Sequence, residues 1–154
     1  MAEKRRRHAS VVLDGKIYAM GGHDGAGRLD TVEAYDPQAD SWQRVARMPR
    51  RLQWHAAAVM GDKIYVTGGN DQASSVNSVY VYDPQANAWT QLASMVTTRR
   101  LHASAAVGGK LYVFGGVGGE GHLSMAEVYD PASDSWAQVS NLISARSHFV
   151  AAAL

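Results

Sequence analysis

The feature that most constrains how this chain folds is a set of residues that recurs three times at a spacing of 47. A glycine pair, a Tyr-Asp-Pro triplet and a tryptophan return in the same order and in one register. The recurring residues are Gly21, Gly22, Tyr35, Asp36 and Trp42, then Gly68, Gly69, Tyr82, Asp83 and Trp89, then Gly115, Gly116, Tyr129, Asp130 and Trp136. A period of this length predicts several copies of one structural unit, each burying its apolar face against a neighbouring copy.

Each copy of the repeat contains four short runs that are typical of β-strands. In the first copy they are HASVVL (8–13), KIYAMGG (16–22), DTVEAYDP (30–37) and SWQRVA (41–46), and the other two copies contain equivalent runs. These runs are rich in β-branched and aromatic residues, and turn residues separate them. No stretch of useful length has the 3.6-residue period of an amphipathic helix, so the sequence predicts an all-β fold.

The recurring residues have mechanical roles in such a unit. Two glycines at the end of the second run let the backbone bend and let a neighbouring chain approach where a Cβ would clash. The Asp-Pro pair ends the third strand, because proline donates no hydrogen bond to a sheet and aspartate favours a turn. The tyrosine and tryptophan, with burial of ~150–250 Å² each, are expected to provide the main apolar contacts between sheets.

Charge and composition give no support to several classes of partner. The formal net charge is +1, from 15 basic and 14 acidic residues, which gives no general attraction to nucleic acid or anionic lipid. No segment approaches the ~18 consecutive apolar residues that a membrane-spanning helix requires. The sequence has no cysteine, which excludes a disulfide framework and suits a reducing compartment. We therefore expect a cytoplasmic chain that binds neither nucleic acid nor membrane.

Glycine pairs, Tyr-Asp-Pro triplets and tryptophans at a period of about 50 residues resemble the markers of kelch repeats. The resemblance covers residues 5–154 and implies that residues 1–154 form a single kelch-repeat domain. In that family each repeat is a four-stranded blade of a β-propeller, and the blades surround a central channel. By resemblance, the strand that begins at His8 is innermost in its blade and the strand that bears Trp42 is outermost.

The resemblance also gives the boundaries of the blades. Three complete blades are expected at about 5–50, 51–97 and 98–144, and residues 145–154 are expected to form the first strand of a truncated fourth repeat. Three blades are half of a six-bladed propeller, whereas propellers close with about four to eight blades. Two completions are open: two copies of the chain close a ring around a twofold axis, or the chain is part of a longer kelch protein.

Function on a propeller is expected in the loops of one face. The resemblance assigns to that face the connections between second and third strands (23–30, 70–77, 117–124) and those between blades (47–54, 94–101, 141–147). These segments carry many arginines, whose guanidinium groups recognise carboxylate or phosphate groups on a partner peptide. Arg5 and Arg6 extend the basic set at the start of the chain. The candidate partner-binding residues are Arg7, Arg28, Arg50, Arg51, Trp54, Asn70, Asp71, Arg99, Arg100, His122 and Arg146. The alternative is that these arginines are solvated or pair with acids at blade edges.

The resemblance implies a non-catalytic protein-protein interaction module that binds a partner protein or peptide and needs no cofactor. Similar kelch domains recognise substrates in ubiquitin-ligase adaptors, and others bind actin. The alternative is a kelch-propeller enzyme such as a sialic acid epimerase, although no pair of carboxylate and base stands out as a catalytic unit. An oxidase of the galactose oxidase type is disfavoured, because the chain lacks the cysteine of that family's tyrosine–cysteine cofactor.

Two further patterns are interpreted as structural. Residues 116–121 match G-x-G-x-x-G, but a strand rather than a helix is predicted to follow, so we interpret the match as a turn. His8, His55 and His102 share one register position, and three histidines are able to bind zinc or copper. Separate blades would hold them, however, and no acidic or thiol ligand recurs beside them. We expect neither a catalytic residue nor a metal site.

Overall fold

The chain forms three antiparallel sheets of four strands each, and the computed structural model describes residues 1–151. The first blade contains β1 (Ala9–Leu13), β2 (Lys16–Met20), β3 (Val32–Asp36) and β4 (Ser41–Val45). The second contains β5 (Ala56–Met60), β6 (Lys63–Thr67), β7 (Val79–Asp83) and β8 (Ala88–Leu92). The third contains β9 (Ala103–Val107), β10 (Lys110–Phe114), β13 (Ala126–Asp130) and β14 (Ser135–Val139). The prediction of an all-β fold built from four-stranded units is confirmed.

A short hairpin interrupts the third blade between β10 and β13. It consists of β11 (Val117–Gly118) and β12 (Gly121–His122), which pair with each other and not with the main sheet. The G-x-G-x-x-G match at 116–121 therefore lies in a hairpin and its turn, in agreement with the interpretation from sequence. Among residues 1–151 we find no helix of the length and hydrophobicity that crossing a membrane requires.

The tyrosine and tryptophan of each repeat face each other across the two outer strands of one blade. Tyr82 on β7 lies opposite Trp89 on β8, and their ring centroids are 5.0 Å apart. The equivalent centroid distances are 5.1 Å in the first blade and 5.3 Å in the third. Neighbouring blades then pack through tyrosines on their facing surfaces, as in the Tyr18–Tyr82 contact at 6.1 Å.

Hydrogen bonds join the outer strands of neighbouring blades. The Trp89 indole N–H donates to the carbonyl oxygen of Ala46 in the first blade (2.9 Å). Asn87 Oδ1, in the turn before β8, accepts from the Ala46 amide (2.9 Å) and from the Tyr82 hydroxyl (2.8 Å). The same bonds join the second and third blades through Trp136, Asp134, Tyr129 and Ala93. We call this set of bonds the outer-strand latch. It gives the recurring tyrosine and tryptophan a polar role beside the apolar role that the sequence predicts.

The two glycines of the first pair each lie against a different segment of the chain. A methyl group on Gly21 would lie 2.7 Å from the carbonyl oxygen of Leu52 and 2.8 Å from the ring of His55, both in the connection to the second blade and its start. A methyl group on Gly22 would lie 2.6 Å from the carbonyl oxygen of Arg6 in its own blade. Both glycines also have positive φ angles, of 58° and 96°. The predicted close approach of neighbouring chains is thus present, and only a residue without a Cβ fits.

The first strand of each blade lines the channel. A cavity of about 370 Å³ lies between β1, β5 and β9, which places these strands innermost and the tryptophan-bearing strands outermost. The segment predicted as a fourth inner strand, 145–154, is described only to residue 151, and residues 145–151 are not in a strand. Residues 152–154 lie outside the described part of the chain. Gly116 nevertheless donates to the carbonyl oxygen of Arg146 (2.8 Å), as Gly69 does to that of Arg99.

Two of the three blades contain a buried ion pair. Arg99 is fully buried, and its guanidinium lies 2.6 Å from Glu127 and 2.8 Å from the carbonyl oxygen of Gly115. Arg5 and Glu33 form the equivalent pair in the first blade, at 2.8 Å. The prediction of Arg99 as a partner-binding residue is therefore wrong. Its side chain is enclosed within its own blade, and the same holds for Arg5.

The second blade has apolar residues where the other two have the ion pair. Leu52 occupies the register position of the arginine and Tyr80 that of the glutamate, and both are buried. Pro49 occupies the register position of Val96, whose amide donates to Glu127 in the third blade. Because proline has no amide N–H, the second blade also lacks that donor. The position thus accepts either a complete charge pair or a complete apolar pair, because a lone buried charge is the costly state.

Trp89 is partly buried, so replacing it by alanine is expected to destabilise the chain by about 3 kcal/mol, the lower end for a tryptophan in a core. The change removes an aromatic contact and one bond of the outer-strand latch. Trp42→Ala is the matched control, since Trp42 contacts Tyr35 in the same way but its indole N–H has no hydrogen-bond acceptor in another blade among residues 1–151. Chemical denaturation at one low chain concentration measures both. Equal losses for the two variants would contradict a role of Trp89 between blades.

Arg99→Leu is expected to cost about 3–5 kcal/mol, because it leaves the Glu127 carboxylate buried without its guanidinium. Adding Glu127→Tyr copies the Leu52 and Tyr80 arrangement of the second blade and is expected to restore much of that loss. The free energy of unfolding of both variants tests this. A double variant no more stable than Arg99→Leu alone would contradict the equivalence of the two arrangements.

The chain is expected to lose stability as pH falls from 6.5 towards 4. Burial, together with the charge of Arg99, lowers the pKa of His102 from 6.5 to about 3, and burial lowers the pKa of His55 to about 4. In this window the unfolded chain binds protons that the folded chain does not, so the free energy of unfolding falls. The loss between about pH 7.5 and about pH 5 should be roughly 2 kcal/mol per histidine.

Denaturation curves of His55→Gln and His102→Gln at the two pH values measure this effect. Each variant is expected to reduce the difference between the two pH values, whereas His122→Gln, at an exposed position of the third-blade hairpin, should leave it unchanged. An unaltered pH dependence in the two buried variants would show that other groups cause the loss.

Candidate functional site

The mouth of the channel is formed by the residues just before each inner strand. Arg7, Trp54, Leu101 and His148 occupy one register position, and all have left-handed backbones, with φ angles of 58°, 57°, 56° and 58°. Each of the last three donates its amide to the carbonyl oxygen of the one before, at 2.9 to 3.0 Å. Such backbones are strained for residues with a Cβ. The chain of hydrogen bonds holds them, and it sets their side chains at the rim of the cavity.

The connections between second and third strands fold back onto these segments. Gln53 pairs with Asn70 in the second blade, and Arg100 pairs with Val117 in the third. The two sets of loops that the sequence assigns to one face therefore meet there, beside the channel mouth.

Trp54 lies between two guanidinium groups. The Arg7 guanidinium lies 4.4 Å from the centroid of the Trp54 ring, and that of Arg100 lies 5.9 Å from it. Both distances are within the range of a cation–π contact. An arginine from the first blade and one from the third thus converge on a tryptophan of the second blade. All three residues are among the sequence-based candidates, although the sequence does not fix how they meet.

Two further polar contacts extend this group. Arg28 donates to Asn70 Oδ1 through Nε (3.1 Å) and through a terminal nitrogen (2.6 Å), joining the loops of the first and second blades. Arg100 donates to Ser75 Oγ (2.7 Å), which joins the third blade to the loop of the second. We name these six residues the mouth cluster: Arg7, Arg28, Trp54, Asn70, Ser75 and Arg100.

The mouth cluster carries positive charge that the described part of the chain does not neutralise. Among residues 1–151, none of Arg7, Arg28 and Arg100 forms a salt bridge with an Asp or Glu. Their hydrogen-bond partners in the cluster are neutral. Guanidiniums whose contacts are all to neutral groups keep their charge available for pairing with carboxylate or phosphate groups.

Arg50 and Asp71 flank the cluster as an ion pair, with 2.6 Å between the guanidinium and the carboxylate. Burial opposes ionisation of Asp71, but amide hydrogen bonds from Ser74 and Ala73 and the charge of Arg50 lower the pKa of Asp71. The Asp71 carboxylate therefore fixes the turn of its own loop and occupies Arg50. These two predicted residues support the loop that carries Asn70.

Three other predicted residues lie apart from the mouth cluster. Arg51 is exposed and comes no nearer than 3.8 Å to its nearest acid, Asp30. His122 is exposed on β12, and the Arg146 guanidinium bonds only to Ser144 Oγ among the described residues. The structure brings none of the three into contact with Trp54.

Ser75, Leu101 and His148 belong to this site although they are absent from the sequence-based candidates. Leu101 and His148 were detectable from the 47-residue register, since each falls one or two periods after Trp54. Ser75 gave no such signal, because its role depends on the reach of Arg100 from the next blade.

Comparisons with known proteins agree with this architecture. A family model described as "Kelch motif" matches residues 4–49, and one described as "KLHDC2/KLHL20/DRC7 Kelch-repeats domain" matches residues 47–153. The second match alone covers more than half of the chain.

Several curated proteins are similar over about one repeat. Kelch-like protein 35 of Mus musculus is 45% identical over 49 residues, which are 32% of this chain and 8% of that protein. Kelch-like protein 7 of Rattus norvegicus is 45% identical over 51 residues, 33% of this chain and 9% of that protein. Kelch-like protein 6 of Homo sapiens is 50% identical over 42 residues, 27% of this chain and 7% of that protein. The matched segments thus span less than a tenth of each relative.

The four-stranded blades, the repeat markers at their observed positions and the family model that covers residues 47–153 lead to one conclusion. The chain belongs to the kelch-repeat family.

Proposed function

We propose that this kelch domain is a non-catalytic interaction module that binds a segment of a partner protein bearing carboxylate groups at the mouth cluster. The observation that carries the proposal is the convergence of Arg7, Arg28 and Arg100 around Trp54 and Asn70 without an acidic partner among the described residues. A peptide supplies both of the groups that such a surface accepts, namely anionic side chains and a backbone that hydrogen-bonds to amide groups.

The geometry favours recognition of a planar anion. A guanidinium presents its donors in a rigid fork that matches a carboxylate, and stacking on an aromatic ring fixes the plane of that fork. The Arg7 and Arg100 guanidiniums lie 4.4 Å and 5.9 Å from the centroid of the Trp54 ring, so this ring helps to hold both donors at the channel mouth. Less side-chain entropy is lost on binding when the donors are already oriented.

The cavity beside the cluster gives room for more than one contact. Its volume of about 370 Å³ lies at the lower end of the range of ligand pockets, about 300–1,000 Å³. Its walls include the small side chains Ala56, Ala103 and Ser104 of the inner strands. A bound segment is expected to place its anionic groups on the arginines and to insert a neighbouring side chain into the channel.

The proposal extends to the cellular role. Membership in the kelch family supports recognition of a protein partner, and we propose that this recognition serves a substrate adaptor of a ubiquitin ligase or an actin-binding protein in the cytoplasm. The short match to each Kelch-like relative leaves that role to be tested on the protein that contains this domain.

An array of short peptides tests the binding chemistry, with each Asp- and Glu-containing peptide paired with its Asn and Gln counterpart. The strongest binders are expected to contain clustered carboxylates, and their affinity should fall as salt rises. Arg100→Ala and Trp54→Leu should each weaken the best binder about tenfold or more, since each removes a group that binds or orients the anion.

Arg44→Ala is the matched control, because Arg44 is an exposed arginine on β4 whose side chain contacts Glu3 and lies outside the mouth cluster. It should change the affinity by less than about twofold. Binding that prefers the amide peptides, or that survives both mouth-cluster substitutions, would overturn the proposal.

A further inference from the structure

Two buried amide side chains, Gln53 and Asn70, lie among the arginines of the mouth cluster. Gln53 is 3% exposed and Asn70 is 8% exposed. Their backbones exchange two hydrogen bonds: the Gln53 amide donates to the carbonyl oxygen of Asn70 (3.1 Å), and the Asn70 amide donates to that of Gln53 (2.8 Å). The second blade thus holds both side chains in fixed positions at the channel mouth.

Two guanidiniums of the first blade reach the Gln53 side chain. In one orientation of its amide, Oε1 accepts from a terminal nitrogen of Arg7 (3.3 Å) and Nε2 donates to Asn70 Oδ1 (3.4 Å). With the amide turned over, its oxygen accepts instead from Arg28, through Nε (3.3 Å) and a terminal nitrogen (3.2 Å). Because an amide has a single oxygen, Gln53 accepts from one of the two guanidiniums at a time.

The repeat shows that an amide is a departure at this position. Arg6 and Arg100 stand one period before and one period after Gln53. An arginine in the second blade would add a like charge beside Arg7 and Arg28, and like charges in close contact repel. A carboxylate would pair with both guanidiniums and reduce the charge that remains for a ligand. The amide contacts the two arginines without either effect.

We propose that Gln53 is a specificity-determining residue of the channel mouth. Its neutral amide holds Arg7 and Arg28 in place and leaves their positive charge available to the carboxylates of a partner. Gln53 acts through these arginines and is therefore a positioning residue. The inference rests on the proposed function, because it names the residue that makes the mouth select an anionic segment.

A carboxylate at this position is expected to compete directly with the partner. Gln53→Glu keeps nearly the same side-chain shape and offers one oxygen to each guanidinium, since Arg7 and Arg28 lie within 3.3 Å of the two ends of the present amide. Charge-assisted hydrogen bonds of this kind are about twice as strong as neutral ones. The competing carboxylate is part of the chain, so its effective concentration at the arginines exceeds that of a free peptide.

The affinities of Gln53→Glu for the best acidic peptide and for its Asn and Gln counterpart test the inference. The affinity for the acidic peptide is expected to fall about tenfold or more, whereas that for the amide peptide should change by less than about twofold. The free energy of unfolding is expected not to fall, because the new carboxylate is paired. A merely structural role of Gln53 would instead lower stability and both affinities together.

Gln91→Glu is the matched control, because it makes the same chemical change at an exposed position of β8 in the same blade. It should alter the affinity for the acidic peptide by less than about twofold. Equal losses in Gln91→Glu and Gln53→Glu would show that the net charge of the chain sets the affinity, and would overturn the inference.

Gln53→Met tests whether the amide also holds the arginines. This change removes the acceptor at similar volume and leaves the charge of Arg7 and Arg28 unaltered. The affinity for the acidic peptide is expected to fall about threefold to tenfold, while the preference over the amide peptide is retained. An affinity equal to that of the unmodified chain would overturn the holding role.

Measurements on the unmodified chain separate this inference from the proposed function. An unmodified chain without a preference for the acidic peptide would contradict the proposed function, and the inference would fail with it. A preference that is present in the unmodified chain and persists undiminished in Gln53→Glu would overturn the inference alone.

Discussion

The structure depends on the outer-strand latch, in which Trp89 and Trp136 each donate across a blade boundary to the backbone of the blade before them. The latch uses one turn residue, Asn87 or Asp134, to accept both from its own blade's tyrosine and from the neighbour's amide. The same side chain, such as that of Asn87, thus stabilises the outer strands of its own blade and fixes that blade against the preceding one. Because the same residues recur every 47 positions, successive blades adopt the same relative position.

That relative position brings the inner strands together and creates the site. Residues that are far apart in sequence, such as Arg7, Trp54 and Arg100, meet because each stands at or next to the start of an inner strand. The left-handed backbones of Arg7 and Trp54 are tolerated because hydrogen bonds from blade to blade hold them. The mouth cluster is therefore a consequence of blade packing, and a single blade would not form it.

Adjacent arginines show why the sequence could not identify the site fully. Arg99 and Arg100 are neighbours in a loop, and both were reasonable candidates for partner binding. Arg99 points into its blade and pairs with Glu127, whereas Arg100 points to the channel mouth and contacts Trp54 and Ser75. Which of two successive side chains is buried depends on the path of the backbone, and a composition rich in arginine does not reveal that path.

The sequence by itself determined the all-β fold, the number of four-stranded sheets and the position of each of their strands to within about two residues. These follow from local turn residues and from a repeat that needs no knowledge of distant contacts. The sequence did not predict the hairpin of β11 and β12, and it predicted a strand at 145–154 where residues 145–151 form none. The tertiary structure decided which charges are satisfied inside a blade and which remain at the mouth. It also decided that Asn87 and Asp134 act between blades. Such roles depend on distances between residues about 41 positions apart in sequence. A repeat pattern predicts that such residues lie near each other, but it does not predict which hydrogen bonds they form.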